Sequence, residues 1–169
     1  MRIVPEASRV TVETAPRGLL APAAHDLRID APVSSGESTD GARCTARFTV
    51  ASMRVASSRR HGTSAWHDPN AKDAADIERR IRDEAFEGVR EIAVDAALDG
   101  SRATITTRAA RAETVTVPVR VEREGERTTV HGECELSLEA LGTGKIHVPL
   151  GAIKLDDRVR VTFDVVLAD

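Results

Sequence analysis

Apolar and polar residues alternate along most of this chain, so that every second side chain is apolar. The clearest example is the series Val115, Val117, Val119 and Val121, whose members are separated by Thr, Pro and Arg. This period of two is typical of an antiparallel strand with one face in a core and the other in solvent. The alternation recurs over Arg9–Glu13, His25–Asp30, Arg43–Val50, Glu91–Leu98, Ala103–Thr107, Thr128–Leu138 and Arg158–Leu167.

Local signals place turns and irregularities between these segments. Asp99-Gly100 has the composition of a hairpin turn, and Glu124–Glu126 is a second turn signal. After Val50 the apolar positions change parity to Met53, which predicts a β-bulge or a strand break. Pro118 lies in the middle of a predicted strand and lacks an N–H group. We therefore expect an edge or a bulge at Pro118.

One segment near the middle of the chain has a helical period instead. Ile77 and Ile81 are four residues apart, in a segment with polar residues on its other faces, and Gly88 follows it. This spacing predicts an amphipathic helix over about residues 73–86, with an N-cap at Asp73 and a glycine stop beyond its end.

The strand pattern also constrains how the sheet is arranged. Long antiparallel strands in an open sheet leave an exposed edge, and closure into a barrel removes it. We therefore predict one all-β domain over residues 1–169, an antiparallel barrel of about eight strands with the helix packed over one opening. Residues 56–72, which precede the helix, are predicted to form a long irregular loop of a kind that is often functional.

Composition excludes several classes of function. The net charge is −3, which argues against a basic nucleic-acid-binding domain, and the aromatic content of 2% argues against base-stacking platforms. No apolar run is long enough to span a membrane, and the first residues do not have the pattern of a signal peptide. These observations predict a cytoplasmic protein, and they neither require nor exclude a homodimer.

The residues that could carry chemistry have plain structural interpretations. Cys44 and Cys134 are predicted to be reduced thiols that face inward, although a disulfide between them is not excluded. His61 and His67 could hold a metal ion with Asp68, but two imidazoles in a loop are more simply solvated. His131 and His147 are predicted to face solvent, and Asp156-Asp157 to form a turn. No set of acid, base and nucleophile emerges, so we predict no enzyme, no metal and no cofactor.

The order of these segments resembles the YceI family of small bacterial proteins. The resemblance runs from about Arg9 to Leu167. It is carried by Ala24–Leu27, by the mid-chain helix, by Glu91–Val94, by Val115–Val119, and most specifically by Gly151–Val159. The resemblance implies an extended lipocalin-like barrel that binds a polyisoprenoid or another long-chain apolar ligand.

Ligand binding also has an argument that does not depend on the resemblance. The inward residues are mostly small, and unfilled apolar volume costs about 24 cal/mol per Å³ in engineered cavities, so we expect a ligand to occupy the interior. Its polar end is expected under the helix and the preceding loop. The predicted lining is His25, Leu27, Ile29, Phe48, Val50, Ile92, Val94, Val117, Val119, Leu136 and Phe163, and the predicted lid is Ile77, Ile81 and Trp66.

Alternatives remain open for two of these residues and for the function. His25 is interpreted either as a polar anchor inside the cavity or as a neutral core histidine paired with the backbone. Trp66 either plugs one end of the barrel or covers the cavity mouth. The alternative function is a solid-core interaction or structural module that binds no small molecule.

Overall fold

The computed structural model describes residues 1–17, 21–143 and 154–168. In these ranges the strands are Arg2–Ile3 (β1), Arg9–Thr14 (β2), Pro16–Arg17 (β3), His25–Asp30 (β4), Val33–Ser38 (β5), Arg43–Thr49 (β6), Arg54–Arg60 (β7), Glu91–Asp99 (β8), Arg102–Arg108 (β9), Ala112–Glu124 (β10), Arg127–Ser137 (β11), Lys154–Leu155 (β12) and Arg158–Ala168 (β13). The α-helices are Ala71–Arg80 (α1) and Leu138–Leu141 (α2), and Ile81–Ala85 continues α1 as a π-helical turn.

An antiparallel sheet of 11 strands closes into a barrel. Its order is β1-β5-β6-β8-β9-β10-β11-β13-β2-β4-β7, and the pairing of β1 with β13 closes the ring. Because β1 and β2, β4 and β5, and β6 and β7 are each consecutive in the chain, they form three long strands with a kink in each. The wall is therefore that of a closed 8-strand barrel, as predicted.

Two of the kinks lie at 3-10 turns where the apolar pattern changes parity. Val50–Ser52 forms a 3-10 turn between β6 and β7, and Pro5–Ala7 forms another between β1 and β2. The predicted break after Val50 is confirmed, and Met53 and Val55 are buried beyond it. The kinks allow β2, β4 and β7 to continue past the closed ring on one side of the barrel.

Pro118 marks a change in the partner of its strand. Up to and including Pro118, β10 is in register with β9, and from Val119 onward it is in register with β11. The Val119 N–H group points toward β9 and donates to the Ser101 carbonyl. The backbone nitrogen of the preceding residue, Pro118, therefore points toward β11, and as a proline it has no N–H group to donate there. The Glu113 carboxylate accepts a hydrogen bond from the Ser137 N–H group at 2.8 Å, where the two strands have separated.

The helix begins earlier than predicted. Its N-cap is Asn70, whose side chain accepts a hydrogen bond from the Asp73 N–H group at 2.9 Å, so the prediction of Asp73 as the cap was wrong. Gly88 does follow the helical segment with a positive φ of 81°. Glu78 accepts a hydrogen bond from the Val55 N–H group at 3.0 Å and holds α1 against the start of β7.

Two other boundaries differ from the predictions. The predicted loop over residues 56–72 is wrong in its first part, because β7 continues to Arg60 and the His67 backbone pairs with Ser58. The strand predicted to reach Leu138 ends one residue earlier, and Leu138 begins α2. Within the described ranges, no helix has the length and apolarity needed to cross a membrane.

Candidate functional site

The barrel surrounds an apolar cavity of about 200 Å³ that is partly open to solvent. At one end the cavity reaches the β5–β6 hairpin, where Ala42 and Arg43 are exposed. At the other end it reaches Ile81 and Phe86 of the segment that continues α1, and Leu141 of α2. The cavity therefore follows the barrel interior between the hairpin and the helical segments.

The cavity exists because the inward positions carry small side chains. Ala46, Ala96 and Ala103 occupy inward positions on three strands and leave the middle of the barrel unfilled. Phe48 and Val94 face the same space and are only half-buried, although they point away from the outer surface. Interiors of folded proteins are normally close-packed, so this unfilled volume is a departure that needs a reason.

Half of the predicted site is found in this lining. The predicted residues that line the cavity are Ile29, Phe48, Ile81, Ile92, Val94, Leu136 and Phe163. They come from six different parts of the chain, and the barrel brings them together because all of them occupy inward positions of strands or the buried side of the helical segment.

Four predicted residues are inside the wall but do not line the cavity. Val50 and Val119 are buried in the core, and Leu27 and Val117 pack against it. Gly132 explains the position of Val119: the Phe163 ring fills the space over that glycine, beside the Val119 side chain. Phe163 therefore takes the cavity-facing place near Val119.

His25 lies outside the cavity, so both interpretations of it were wrong. It begins β4, where it pairs with Arg60 of β7, and its side chain is exposed. The pairing between β2 and β4 ends at Leu27, so His25 lies beyond the part of β4 that both neighbours cover. An exposed residue at the strand start can neither anchor a ligand in the cavity nor form part of the core.

Trp66 lies on the outer face of the barrel and neither plugs it nor covers the cavity mouth. Its ring centroid is 4.0 Å from Cζ of Arg28 and 4.5 Å from Cζ of Arg59. Arg28 alternates with Leu27 and Ile29, which face inward, so Trp66 stacks on the opposite side of the wall. Ile77 is half-buried on α1 and does not line the cavity either, so the predicted lid is reduced to Ile81.

Under Trp66 lies a buried carboxylate that the sequence pattern assigned to solvent. Asp26 accepts one hydrogen bond from Arg59 Nε at 2.7 Å, and its other oxygen is 2.6 Å from His61 Nδ1. Burial by itself would raise the pKa of Asp26, but the hydrogen bonds from His61 and Arg59 outweigh it and hold the pKa below its usual range. The cluster fixes the segment after β7 to the outer wall.

The two cysteines are inside the barrel, as predicted. Cys44 and Cys134 both line the cavity, and neither forms a disulfide. Burial, with a smaller effect of Asp95, raises the pKa of Cys44. Burial, with smaller effects of Glu113 and Glu133, raises the pKa of Cys134 to about 11. Thiols with such pKa values are protonated near neutral pH and are weak nucleophiles.

Of the remaining histidines, His131 contacts two carboxylates. His131 is within 2.5 Å of Asp164 and 3.3 Å of Glu122, so it is more than a solvated residue. His147 is outside the described residues. No group of three or more His, Cys, Asp or Glu side chains suited to a metal ion is found in the part of the chain that the structure describes.

Several lining residues were not among the predicted ones. Val10, Val12 and Thr14 share the inward face of β2, and Ala103, Ile105 and Thr107 share that of β9. The alternation already placed all of them except Thr14 on one face of each strand, so their position was available from the sequence. Thr14 lies one residue beyond the alternating segment Arg9–Glu13. The cavity also includes Ile3 and Ala31, which lie in short or irregular segments that carry no periodic signal. It further includes Met53, which follows the predicted strand break, and Phe86, the last residue of the predicted helix.

Comparison with known proteins supports the fold. No family model matches the chain, and no curated protein is similar to it in sequence at a significant level. The structure is similar to the crystal structure of BcnA from Burkholderia cenocepacia, with a TM-score of 0.56 and 18% sequence identity. The alignment covers 98% of this chain and 99% of that chain. At this level of identity, the similarity shows that the fold is shared.

Proposed function

We propose that this barrel binds an apolar, chain-shaped ligand in its interior and carries it without chemical change. The observation that supports the proposal is the cavity, which extends between the hairpin and the helical segments and is lined almost entirely by aliphatic and aromatic side chains. A solid-core interaction module, the alternative, would have no use for such a cavity.

The energetics favour an occupant. At about 24 cal/mol per Å³, an unfilled apolar cavity of about 200 Å³ would cost on the order of 5 kcal/mol. That is comparable to the whole free energy of unfolding of many domains. A hydrocarbon chain removes this cost and gains about 0.8 kcal/mol for each buried CH₂ group.

The volume of the cavity limits the size of the ligand. It exceeds the roughly 150 Å³ of an engineered cavity that binds benzene, and it is below the roughly 300–1,000 Å³ of most ligand pockets. A short or medium acyl chain fits this volume better than an extended polyisoprenoid. Within the range that the resemblance suggested, we therefore favour a fatty-acyl-like ligand.

We also propose that the chain belongs to the YceI family and that it is not an enzyme. The first proposal rests on the resemblance of the sequence segments and on the shared barrel fold. The second rests on the described lining, whose polar groups are hydroxyls, two protonated thiols and one guanidinium. These groups offer no acid and base pair directed at a common point.

The matched residues Ala96 and Ala97 provide a direct test. They are neighbours on β8, but Ala96 lines the cavity and Ala97 is exposed on the outer face. Titration with a fluorescent fatty-acid probe should show saturable binding to the parent protein. Ala96→Leu should weaken this binding at least several-fold because it fills part of the cavity, and Ala97→Leu should leave it unchanged. Absence of binding to the parent, or equal effects of the two variants, would contradict the proposal.

A further inference from the structure

Two buried hydroxyl groups interrupt the apolar lining. Thr14 on β2 is 6% exposed and Thr107 on β9 is 2% exposed, and both line the cavity. Each continues the inward face of its strand, after Val12 and Ile105 respectively. Valine has nearly the same shape as threonine, with a methyl group in place of the hydroxyl, so an apolar residue would fit these places equally well.

The Thr14 hydroxyl has no hydrogen-bond partner among the described residues. Buried polar groups in folded proteins are nearly always paired, and an exception calls for a specific explanation. Ser38 in the same barrel shows the usual arrangement: its buried hydroxyl donates to the Arg43 carbonyl at 2.8 Å and accepts from the Gly41 N–H group at 3.0 Å. The unpaired hydroxyl of Thr14 departs from this usual arrangement.

Thr107 is only weakly paired. Its hydroxyl donates to the Glu113 carbonyl at 3.5 Å, which is longer than a normal hydroxyl hydrogen bond. Thr107 can therefore also turn toward a group inside the barrel, since breaking so long a contact costs little.

Charge limits what can pair with Thr14. Across the described lining the sole charged side chain is Arg43, which lies beside the exposed hairpin. Thr14 is at the end of β2. The carbonyl of the next residue, Ala15, accepts a hydrogen bond from the backbone N–H group of Asp156, which follows the lining residue Leu155. Among the described lining residues only Arg43, at the hairpin, could balance an anionic group of the ligand, and burial of an unpaired charge at Thr14 is strongly unfavourable.

We propose that the ligand carries an uncharged carbonyl group, such as that of an amide, an ester or a ketone, and that the Thr14 hydroxyl donates a hydrogen bond to it inside the cavity. This inference rests on the proposed function and narrows its ligand to a neutral carbonyl compound with an apolar chain. The chain follows the cavity toward the hairpin, and Thr107 is the second hydroxyl available to the polar group.

Three ten-carbon compounds, each competing with the fluorescent probe, test separately whether the ligand needs a carbonyl group and whether that group must be uncharged. Decanamide has a neutral carbonyl group, decanoate has a charged one, and decane has none. The parent protein should bind decanamide more tightly than either of the others. Thr14→Val should weaken decanamide binding about 2- to 10-fold, as expected for the loss of one hydrogen bond, and should leave decane binding unchanged.

Two control variants complete the design. Thr14→Ser keeps the hydroxyl and should keep the preference for decanamide, and Thr11→Val changes the opposite face of β2 and should have no effect. Without ligand, Thr14→Val should have a melting temperature equal to or above that of the parent, because an unpaired hydroxyl has been removed. If the Thr14 hydroxyl instead stabilised the fold, Thr14→Val would have a lower melting temperature than the parent.

The outcomes distinguish this inference from the proposed function. If decane binds but Thr14→Val leaves the ratio of decanamide to decane affinity unchanged, the role of Thr14 is wrong and the binding function stands. Tightest binding of decanoate would likewise overturn the neutral carbonyl. If the parent protein binds neither the probe nor any of the three compounds, both inferences are wrong.

Discussion

Replacement of Val94 by Phe should fill part of the cavity and leave the barrel intact. Val94 is an inward residue of β8, and its cross-strand neighbours are the small residues Ala46 and Thr107. The larger ring therefore has space in front of it and no bulky neighbour beside it. Val119 faces inward too, but it is buried against Gly132 and the Phe163 ring, so Val119→Phe places the same ring where no space exists.

The two variants should differ in the sign of their effect on stability. If the Val94→Phe ring fills on the order of a quarter of the cavity, the unliganded protein gains roughly 1 kcal/mol in the free energy of unfolding, at about 24 cal/mol per Å³. Val119→Phe should lose about 1–3 kcal/mol, the usual cost of overpacking a core. Only Val94→Phe should combine a stable fold with weakened binding of the probe.

Urea unfolding of the delipidated parent and both variants, followed by circular dichroism, measures these free energies. The reasoning is refuted if Val94→Phe loses as much stability as Val119→Phe, because the cavity would then not accept a ring. It is also refuted if Val94→Phe is stable and binds the fatty-acid probe as tightly as the parent, since the ligand would then occupy another place.

Three further predictions concern other parts of the barrel. Asp26→Asn should lower the free energy of unfolding by about 2 kcal/mol at pH 7, because the buried carboxylate pairs with Arg59 and His61. Since the folded-state pKa of Asp26 is lowered, its contribution to the free energy of unfolding is present above the unfolded pKa of about 3.9 and is lost as the pH falls through the folded value. Urea unfolding near pH 3 should therefore show a smaller difference between Asp26→Asn and the parent than at pH 7. An unchanged difference would contradict the pairing. Gly36→Ala should lower the melting temperature, because its Cβ would lie 2.6 Å from the Thr45 carbonyl oxygen and would also meet Ile3; an unchanged melting temperature would show that β5 can shift. Both thiols should react with a thiol reagent only after unfolding, and rapid reaction in the folded protein would place Cys44 or Cys134 outside the cavity.

The regular part of the barrel could be predicted from the sequence because alternation follows directly from strand geometry. Once one face of a strand is buried, every second residue must be apolar, so the strands from Glu91 to Thr107 and from Arg158 to Leu167 are visible in the residue pattern. Val33–Ser38 is the contrary case. This strand consists largely of Ser and Gly, and it forms because its backbone pairs with β1 and β6. Backbone hydrogen bonds do not depend on which side chains are present, so residue composition does not predict this strand.

The candidate site was predictable only where it lies on such strands. Phe48, Val94 and Phe163 were found because a parity argument places them inward. Trp66 could not be placed, because a single aromatic residue in a loop has no period and its position depends on where the loop folds back. Asp26 was assigned to solvent for a related reason: its face of β4 does point outward, but the segment after β7 covers it.

Native mass spectrometry of the protein purified under gentle conditions tests the central claim most directly. The account predicts, in addition to the 18.2 kDa chain, a species heavier by one apolar molecule per barrel, and conversion of the bare chain to such a species when decanamide is added. A spectrum that contains only the bare chain, both as purified and after the addition of decanamide and of the fatty-acid probe, would contradict the claim that the barrel interior is a binding site.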